Sequence, residues 1–288
     1  MSLLNLIVDC NPYYLSLRSQ ENIEFLENVL VALKAFCHAY TCEGASNVLC
    51  ALAAHDHSVS GPVKLFTSTD VEASSSAEVS ARLEAALTTR ARESDERRWR
   101  SACRWSAPFA LALCLAAKRR RADSATTASA APTSARGRIL AVKISEDDSS
   151  EYPILMNAFL AANRMGVTVD CCSVGLASPL FQQAADATGG LYRQVDASSG
   201  CGQLVQVLLT EFLADARLRA ASLRSAPPAD VDYRPACVCH KRVVGTGWVC
   251  SVCLAVFCAF VPICTTCNTA FDLSKVIARA GVKRKLKP

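Results

Sequence analysis

Residues 3–9 read LLNLIVD, a mainly apolar run from Leu3 to Val8 that ends in Asp9. A run of this length and composition is typical of a strand buried on both faces of a sheet. Apolar residues then recur at helical spacing over residues 22–40, so a helix is expected to follow the strand. The first forty residues therefore predict the opening strand and helix of an α/β domain.

The same alternation continues along the chain. Strands alternating with helices predict a doubly wound, mostly parallel α/β sheet. Segment 62–68 is the exception, since it follows Gly61 closely and is expected to be the hairpin neighbour of the strand before it. The further predicted strands are 46–56, 62–68, 138–144, 167–174 and 191–195, and the further predicted helices are 154–165, 179–188 and 204–218.

Segment 69–137 interrupts this order with a composition dominated by Ser, Ala, Thr and Arg. Helical patterns are expected at 78–87 and 108–121, and 122–137 is interpreted as a flexible linker. The apolar part of this segment, residues 107–117, has about half the length needed to span a bilayer. No membrane segment is expected.

The chain of 288 residues contains sixteen cysteines but no segment that reads as a secretory signal. A reducing compartment is therefore expected, where thiols stay free or bind metal. Nine cysteines have no partner at ligand spacing and are interpreted as small buried hydrophobic residues. These are Cys10, Cys37, Cys42, Cys50, Cys103, Cys114, Cys171, Cys172 and Cys201.

The other seven cysteines lie between residues 237 and 267, where the stretch 250–267 reads CSVCLAVFCAFVPICTTC. Two C-x-x-C pairs predict one tetrahedral structural zinc site. Its ligands would be Cys250, Cys253, Cys264 and Cys267. With four cysteines and no open position, such a site predicts no hydrolytic role.

A second zinc site would use the four remaining candidate ligands, if ligand pairs alternate between two ions as in a RING-like module. The alternative is that Cys239 or Cys258 is simply buried and that His240 is solvated. One zinc ion is expected and the second is left open. The candidate ligands of the second site are Cys237, Cys239, His240 and Cys258.

Apolar residues between the ligands exceed what so small a module can bury, so some are expected to form an exposed patch. The patch would bind either the first domain of this chain or another protein. The partner-binding candidates are Phe257, Phe260 and Val261.

Ligands of a doubly wound sheet bind at the carboxyl ends of its strands, where Asp9 and residues 145–148 are expected. A von Willebrand A-type domain would place an Asp-x-Ser-x-Ser cation loop after the first strand. Here the loop reads DCNPYY, with Asn11 and Tyr13 in place of the two serines. Because tyrosine cannot replace a small hydroxyl ligand, Asp9 and Asn11 form a degenerate cation loop and magnesium is not expected. Asp9 is expected instead to cap or position a loop.

Five stretches, taken in order, resemble the smaller von Willebrand A-like, zinc-finger-containing core subunit of general transcription factor IIH, the Tfb4 family. The resemblance runs from residue 3 to about residue 271, and 72–136 is the part that does not match well. The resemblance implies a non-catalytic scaffold in the complex that opens DNA for RNA polymerase II and for nucleotide excision repair. It also implies a partner, a second core subunit with its own von Willebrand A domain and RING-like module, which links the chain to the helicases. The stretches are VDCNPYY, RILAVKISED, LFQQAADATGGLY, ACVCH and GWVCSVCLAVFCAFVPICTTCNTAF.

The predicted organisation is a von Willebrand A-like domain over 1–225 with an insertion at about 69–137, followed by three short parts. These are a linker at 226–235, a cysteine-rich zinc module at 236–271 and a basic tail at 272–288. The tail is interpreted as a nuclear localisation signal, a phosphate-contacting arm or a solvated terminus. A nuclear location is expected.

Two other function classes compete with the scaffold. A RING-like ubiquitin-ligase adaptor would use the same cysteines, although the irregular CVCH pair at 237–240 disfavours it. A nucleic-acid-binding zinc module is disfavoured because no basic residue lies between Cys250 and Cys267, so direct nucleic-acid binding is not expected to be primary. No P-loop, G-x-G-x-x-G or H-E-x-x-H motif occurs, and the chain is not expected to be an enzyme.

Overall fold

The computed structural model describes residues 3–21, 24–44, 47–55, 63–67, 81–82, 84–85, 103–126, 137–148, 150–196, 201–222, 231–235, 237–240 and 244–271. The predicted helix at 78–87 lies mostly outside this set, and the basic tail lies entirely outside it.

Six strands form one sheet in the order β3-β2-β1-β4-β5-β6. All neighbours pair in parallel except β2 and β3, which are antiparallel. The predicted doubly wound, mostly parallel sheet is therefore confirmed, including the hairpin at its edge. The strands are β1 (Leu3–Asp9), β2 (Val48–Ala54), β3 (Val63–Thr67), β4 (Arg138–Lys143), β5 (Thr168–Val174) and β6 (Tyr192–Val195).

Helices cover both faces of the sheet. Two of them, Tyr152–Met165 and Pro179–Thr188, begin with Pro in the first turn and end at Gly166 and Gly189, which adopt left-handed conformations. The helices are α1 (Pro12–Glu21), α2 (Phe25–Glu43), α3 (Ser106–Thr126), α4 (Tyr152–Met165), α5 (Pro179–Thr188), α6 (Cys201–Val207), a π-helical turn (Leu208–Phe212) and α7 (Ala216–Ser222).

Three helical predictions were wrong in detail. Helix α1 was not predicted, because PYYLSLRSQE has little apolar periodicity. Helix α3 continues to Thr126, five residues into the segment interpreted as a linker. The single helix predicted over 204–218 is broken into α6, the π-helical turn and α7.

Strand β1 supplies both faces of the core. Leu4, Leu6 and Val8 pack toward α2, whereas Leu3 and Ile7 pack on the opposite side. That opposite side contains a ring cluster in which Phe109, Phe159 and Phe181 lie with centroids 5.2–6.0 Å apart. Burial of both faces explains why the strand reads as a nearly unbroken apolar run.

Residues 237–271, called here the cysteine-rich module, contain a separate two-stranded antiparallel sheet of β7 (Trp248–Val249) and β8 (Val256–Phe257). Its buried cluster consists of Cys250, Ala255, Phe257 and Cys264 and shares no residue with the two clusters of the large sheet. The Asn157 amide of α4 donates a hydrogen bond to the Cys253 carbonyl oxygen at 3.4 Å. The module therefore lies against α4.

None of the helices in the described part of the chain combines the length and the apolar character that a membrane crossing requires.

Candidate metal centres

The inner cluster brings together the four cysteines of the two C-x-x-C pairs, which are Cys250, Cys253, Cys264 and Cys267. Their sulfurs all lie within 4.8 Å of one another, and the Cys250–Cys267 and Cys253–Cys264 Sγ distances are both 3.6 Å. Two sulfurs bound at about 2.3 Å to one tetrahedral zinc ion would lie about 3.8 Å apart. The cluster therefore fits a tetrahedral zinc ion.

The two C-x-x-C turns share one backbone design. Leu254 N donates to Cys250 O at 2.9 Å, and Asn268 N donates to Cys264 O at the same distance. Leu254 and Asn268, each the residue after a pair, both have positive φ, at 62° and 58°. Asparagine tolerates this conformation better than leucine, so the first turn carries the greater strain. Each turn thus presents two sulfurs to the same point.

Hydrogen bonding favours the thiolate form of Cys267, whereas burial raises the pKa of Cys253 to about 12. Cys250 and Cys264 are fully buried, whereas Cys253 and Cys267 are partly exposed. The Thr269 hydroxyl lies 3.1 Å from Cys267 Sγ, and hydrogen bonds from the Thr269 hydroxyl and backbone lower the pKa of Cys267 to about 6. The thiolate is the form that binds metal, so this contact favours ligation.

The outer cluster unites Cys237, Cys239, His240 and Cys258, again with ligand atoms within 4.8 Å of one another. His240 Nδ1 lies 3.2 Å from Cys258 Sγ, and Cys239 Sγ lies 3.3 Å from Cys258 Sγ. The neighbouring Cys239 thiol raises the pKa of Cys258 to about 11. A coordinating cation would reverse this effect, because it deprotonates the thiols that bind it.

The donor sets fit zinc in both clusters, since thiolates and imidazole are its preferred ligands in structural sites. The two clusters differ in exposure. Three of the outer candidate ligands are exposed, whereas none of the inner ones is. Along the sequence, ligands of the outer and inner clusters alternate, as in a cross-braced module. Cys258 lies between the two inner pairs in the sequence but belongs to the outer cluster.

The partner-binding candidates occupy different environments. Phe257 is 1% exposed and forms part of the module's core, so its assignment to a surface patch was wrong. Phe260 is partly buried and packs edge-on against Trp248, with ring centroids 5.1 Å apart. Val261 is partly buried against the module's core.

Other apolar side chains of the module are more exposed, and sequence reasoning missed three of them, Trp248, Val249 and Val252. Trp248 and Val249 precede the first inner cysteine, outside the stretch between ligands where the patch was sought. The two residues are adjacent and flanked by Gly247 and Cys250, and this local sequence gave no sign that they would be exposed. The exposed large apolar residues of the module are Trp248, Val249, Val252 and Ile263.

The degenerate cation loop is held together by the chain's own donors. Asp9 Oδ2 accepts hydrogen bonds from Ile144 N at 3.0 Å and from the backbone and hydroxyl of Ser145 at 2.7 and 2.5 Å. Asp9 Oδ1 accepts from Asn11 N at 3.1 Å, and Asn11 Oδ1 accepts from Tyr13 N at 3.0 Å. The carboxylate is buried and surrounded by donors, an arrangement that suits a loop-positioning role.

A buried lysine at the same edge of the sheet was not predicted. Lys143 Nζ donates to the Ser145 carbonyl oxygen and lies 3.2 Å from Asp147 Oδ1. Asp147 in turn accepts hydrogen bonds from Ser178 Oγ at 2.6 Å and Leu180 N at 3.2 Å, at the start of α5. A single lysine near the end of an apolar run gives little indication that it is buried, because most lysines are exposed to solvent.

Comparison with known proteins gives a match that includes both the sheet and the cysteine clusters. The sequence profile described as "Transcription factor Tfb4" matches residues 1–268. The chain belongs to the Tfb4 family. The resemblance inferred from its motifs is thereby confirmed.

Curated members of the Tfb4 family match over shorter stretches. General transcription factor IIH subunit 3 of Dictyostelium discoideum is 38% identical over 170 residues, which cover 59% of this chain and 42% of the relative. General transcription and DNA repair factor IIH subunit tfb4 of Schizosaccharomyces pombe is 38% identical over 138 residues, covering 48% of this chain and 45% of the relative. The aligned stretch thus spans less than half the length of either relative.

The crystal structure of the TFIIH p34 N-terminal domain has the same fold as this Tfb4-family chain, with a TM-score of 0.58. The similarity covers 72% of this chain and 96% of that chain, at 20% sequence identity.

The scattered cysteines of this Tfb4-family chain have a mainly structural setting. Six of the nine are buried, and burial raises the pKa of Cys37 and of Cys172 to about 12. Cys42 and Cys114 are exposed, so for these two the prediction of burial was wrong, while the side chain of Cys201 lies outside the described set. Both exposed cysteines lie on helices, where one face is solvated.

Proposed function

We propose that this chain is a non-catalytic scaffold subunit of the general transcription factor IIH core, acting in the nucleus in transcription initiation by RNA polymerase II and in nucleotide excision repair. The observation that carries the proposal is the Tfb4 profile match over 1–268, which includes both cysteine clusters. The names of the two curated relatives, which refer to this factor, support it.

The scaffold has two units in this proposal. An α/β domain occupies residues 1–225, and a zinc module at 236–271 follows a linker at 226–235. The inner cysteines hold a structural zinc ion, and the outer cluster holds a second one. The separate buried clusters of sheet and module support this division. The basic tail at 272–288 serves nuclear import.

The partner in this proposal is the second core subunit with von Willebrand A and RING-like parts, and through it the helicase-containing core. The exposed apolar side chains of the module, among them Trp248, Val249 and Ile263, supply surface for such a contact. Since exposed large apolar residues are enriched at protein contacts, the exposure of these side chains favours a protein-binding role.

Affinity purification of the tagged chain from nuclear extract tests the proposal, with Cys250→Ser as the variant and Cys114→Ser as the matched control. Cys250 belongs to the buried inner cluster, whereas Cys114 is an exposed cysteine on α3. We expect Cys250→Ser to lose bound zinc and to recover at least about tenfold less of the other core subunits, because metal binding supplies the module's folding free energy. The Cys114→Ser variant should behave as the parent chain.

Metal analysis of the same samples gives the stoichiometry, and two zinc ions per parent chain are expected. Full recovery of core subunits by Cys250→Ser would contradict the scaffold role of the module. Recovery of ubiquitin-conjugating enzymes, or of nucleic acid alone, would favour one of the two competing function classes instead.

A further inference from the structure

A groove of about 500 Å³ runs along the seam between α4 and the cysteine-rich module. Its walls come from two distant parts of the sequence, one helix of the sheet and the first C-x-x-C turn. The side chains of α4 that line it are Asn157, Leu160, Ala161, Arg164 and Met165, and those of the turn are Ser251, Val252 and Leu254.

The groove is open to solvent and carries an exposed apolar side chain on each wall. Leu160 is 40% exposed and Val252 is 63% exposed, on opposite walls. Ile154, at 54% exposure, lies one turn before Asn157 on the same stripe of α4 and extends the apolar surface. From Ile154 to Arg164 the stripe is about 15 Å long at 1.5 Å per residue. This length matches about three turns of a bound helix.

The charge at one end of the groove is positive and unbalanced. Among the residues the structure describes, none forms a hydrogen bond or ion pair with the exposed guanidinium of Arg164. Arg120 of α3 donates a hydrogen bond to the Met165 carbonyl oxygen at 3.3 Å, which places a second cation at the same end. Neither α4 nor the stretch 235–271 contains an acidic residue.

The wall contributed by the cysteine-rich module carries no ionisable side chain of its own between Cys250 and Cys264 other than the cysteines. The positive charge of the groove therefore comes from Arg164 of α4 and from Arg120 of α3. An acidic group of a ligand would be attracted toward Arg164.

We propose that this groove is the docking site for an amphipathic helix of a partner protein, about three turns long, with large apolar side chains on one face and a carboxylate at the end that meets Arg164. Apolar anchors at helical spacing fill the space between Leu160 and Val252, as in other helix-in-groove complexes. The carboxylate pairs with Arg164, whose charge has no counterpart within the described residues. The proposal does not depend on which complex the chain joins.

Selection from a random library of 16-residue peptides displayed on phage, with the zinc-loaded full chain as bait, tests this proposal. We expect the enriched peptides to combine apolar residues at helical spacing with Asp or Glu near one end. The most enriched peptide is then synthesised with a fluorescent label, and its binding is measured by fluorescence anisotropy.

Two variants and a matched control separate groove binding from other contacts. Val252→Asp should weaken the peptide at least about tenfold, because it buries a charge among apolar anchors. Val31→Asp, the same change at an exposed valine of α2, should leave affinity unchanged. Arg164→Glu should also weaken the acidic peptide about tenfold, and the peptide with its acid changed to Lys should regain affinity for that variant.

Three outcomes would overturn the proposal. They are the absence of any enriched peptide, enriched peptides without an acidic residue, and affinities that Val252→Asp and Val31→Asp change equally. Circular dichroism and zinc content of each variant confirm that the module is folded in every comparison.

Discussion

Asp9 ends β1 at the carboxyl edge of the sheet, where its carboxylate accepts four hydrogen bonds from Asn11, Ile144 and Ser145. These bonds tie the loop after β1 to the loop after β4. A buried carboxylate is stable only when its oxygens are paired, and here the protein itself supplies the partners. This pairing is the arrangement expected of an aspartate that positions the two loops.

The first prediction at this scale is that Asp9→Asn lowers the free energy of unfolding by about 3 kcal/mol, because an amide turns donors toward backbone N–H groups that need an acceptor. Urea denaturation measures the loss. Asp232→Asn is the control, since that exposed side chain pairs only with Arg234 in the described structure, and little change is expected there. Millimolar Mg²⁺ should not raise the unfolding midpoint of the parent chain, and a clear rise would contradict the positioning role of Asp9.

At the scale of the elements, one buried carboxylate, that of Asp170, links the π-helical turn and α7 to the sheet through two arginines. Asp170 of β5 accepts hydrogen bonds from Arg138 of β4 at 2.5 Å and from Arg219 of α7 at 2.8 Å. The same two guanidinium groups donate to backbone carbonyls at the end of the π-helical turn and just after it, including Phe212 and Ala214. Arginines thus satisfy carbonyls that a continuous helix would have used, which accounts for the break before α7.

The corresponding prediction is that Asp170→Asn destabilises the chain by about 3–5 kcal/mol, because two buried guanidinium groups lose their counter-charge. Glu211→Gln is the matched control, since Glu211 pairs with Arg193 where both side chains are partly exposed, and the expected loss is below about 1 kcal/mol. Thermal and urea unfolding of both variants measure the difference. Equal losses in the two variants would show that the buried network has no special role.

The elements also show which structural features the sequence can reveal. Strands β1, β4 and β5 were predicted within two residues, because burial on both faces leaves nearly unbroken apolar runs. The inner set of candidate ligands followed from the C-x-x-C spacing, and the outer set was assembled from the remaining cysteines and His240. The structure brings each set together. Hydrogen bonds between residues far apart in the chain could not be predicted, because they leave no local pattern in the sequence. The carboxylate of Glu151 accepts hydrogen bonds from Trp105 N and Ser106 N at the start of α3, across 46 and 45 residues.

For the whole molecule, the division of the apolar core has a thermodynamic consequence. The two large clusters pack on the faces of the sheet, whereas the module's own cluster has only four buried residues, two of them inner cysteines. So small a core cannot offset the conformational entropy of some 35 residues, given a cost of about 1–2 kcal/mol for each residue fixed. Metal should therefore stabilise the module and leave the sheet nearly unaffected.

Chelation of the full chain tests this division. We expect excess EDTA to abolish hydrogen-exchange protection of amides in the module, such as Cys250 N and Cys264 N, which donate within the two cysteine turns. Amides in β1, β4 and β5 should remain protected, because their hydrogen bonds depend on the sheet alone. EDTA saturated with zinc is the control and should change neither unit. Loss of protection in the sheet at the same chelator concentration would mean that metal, sheet and module form one cooperative unit, and protection retained in the module would mean that its apolar contacts suffice without metal.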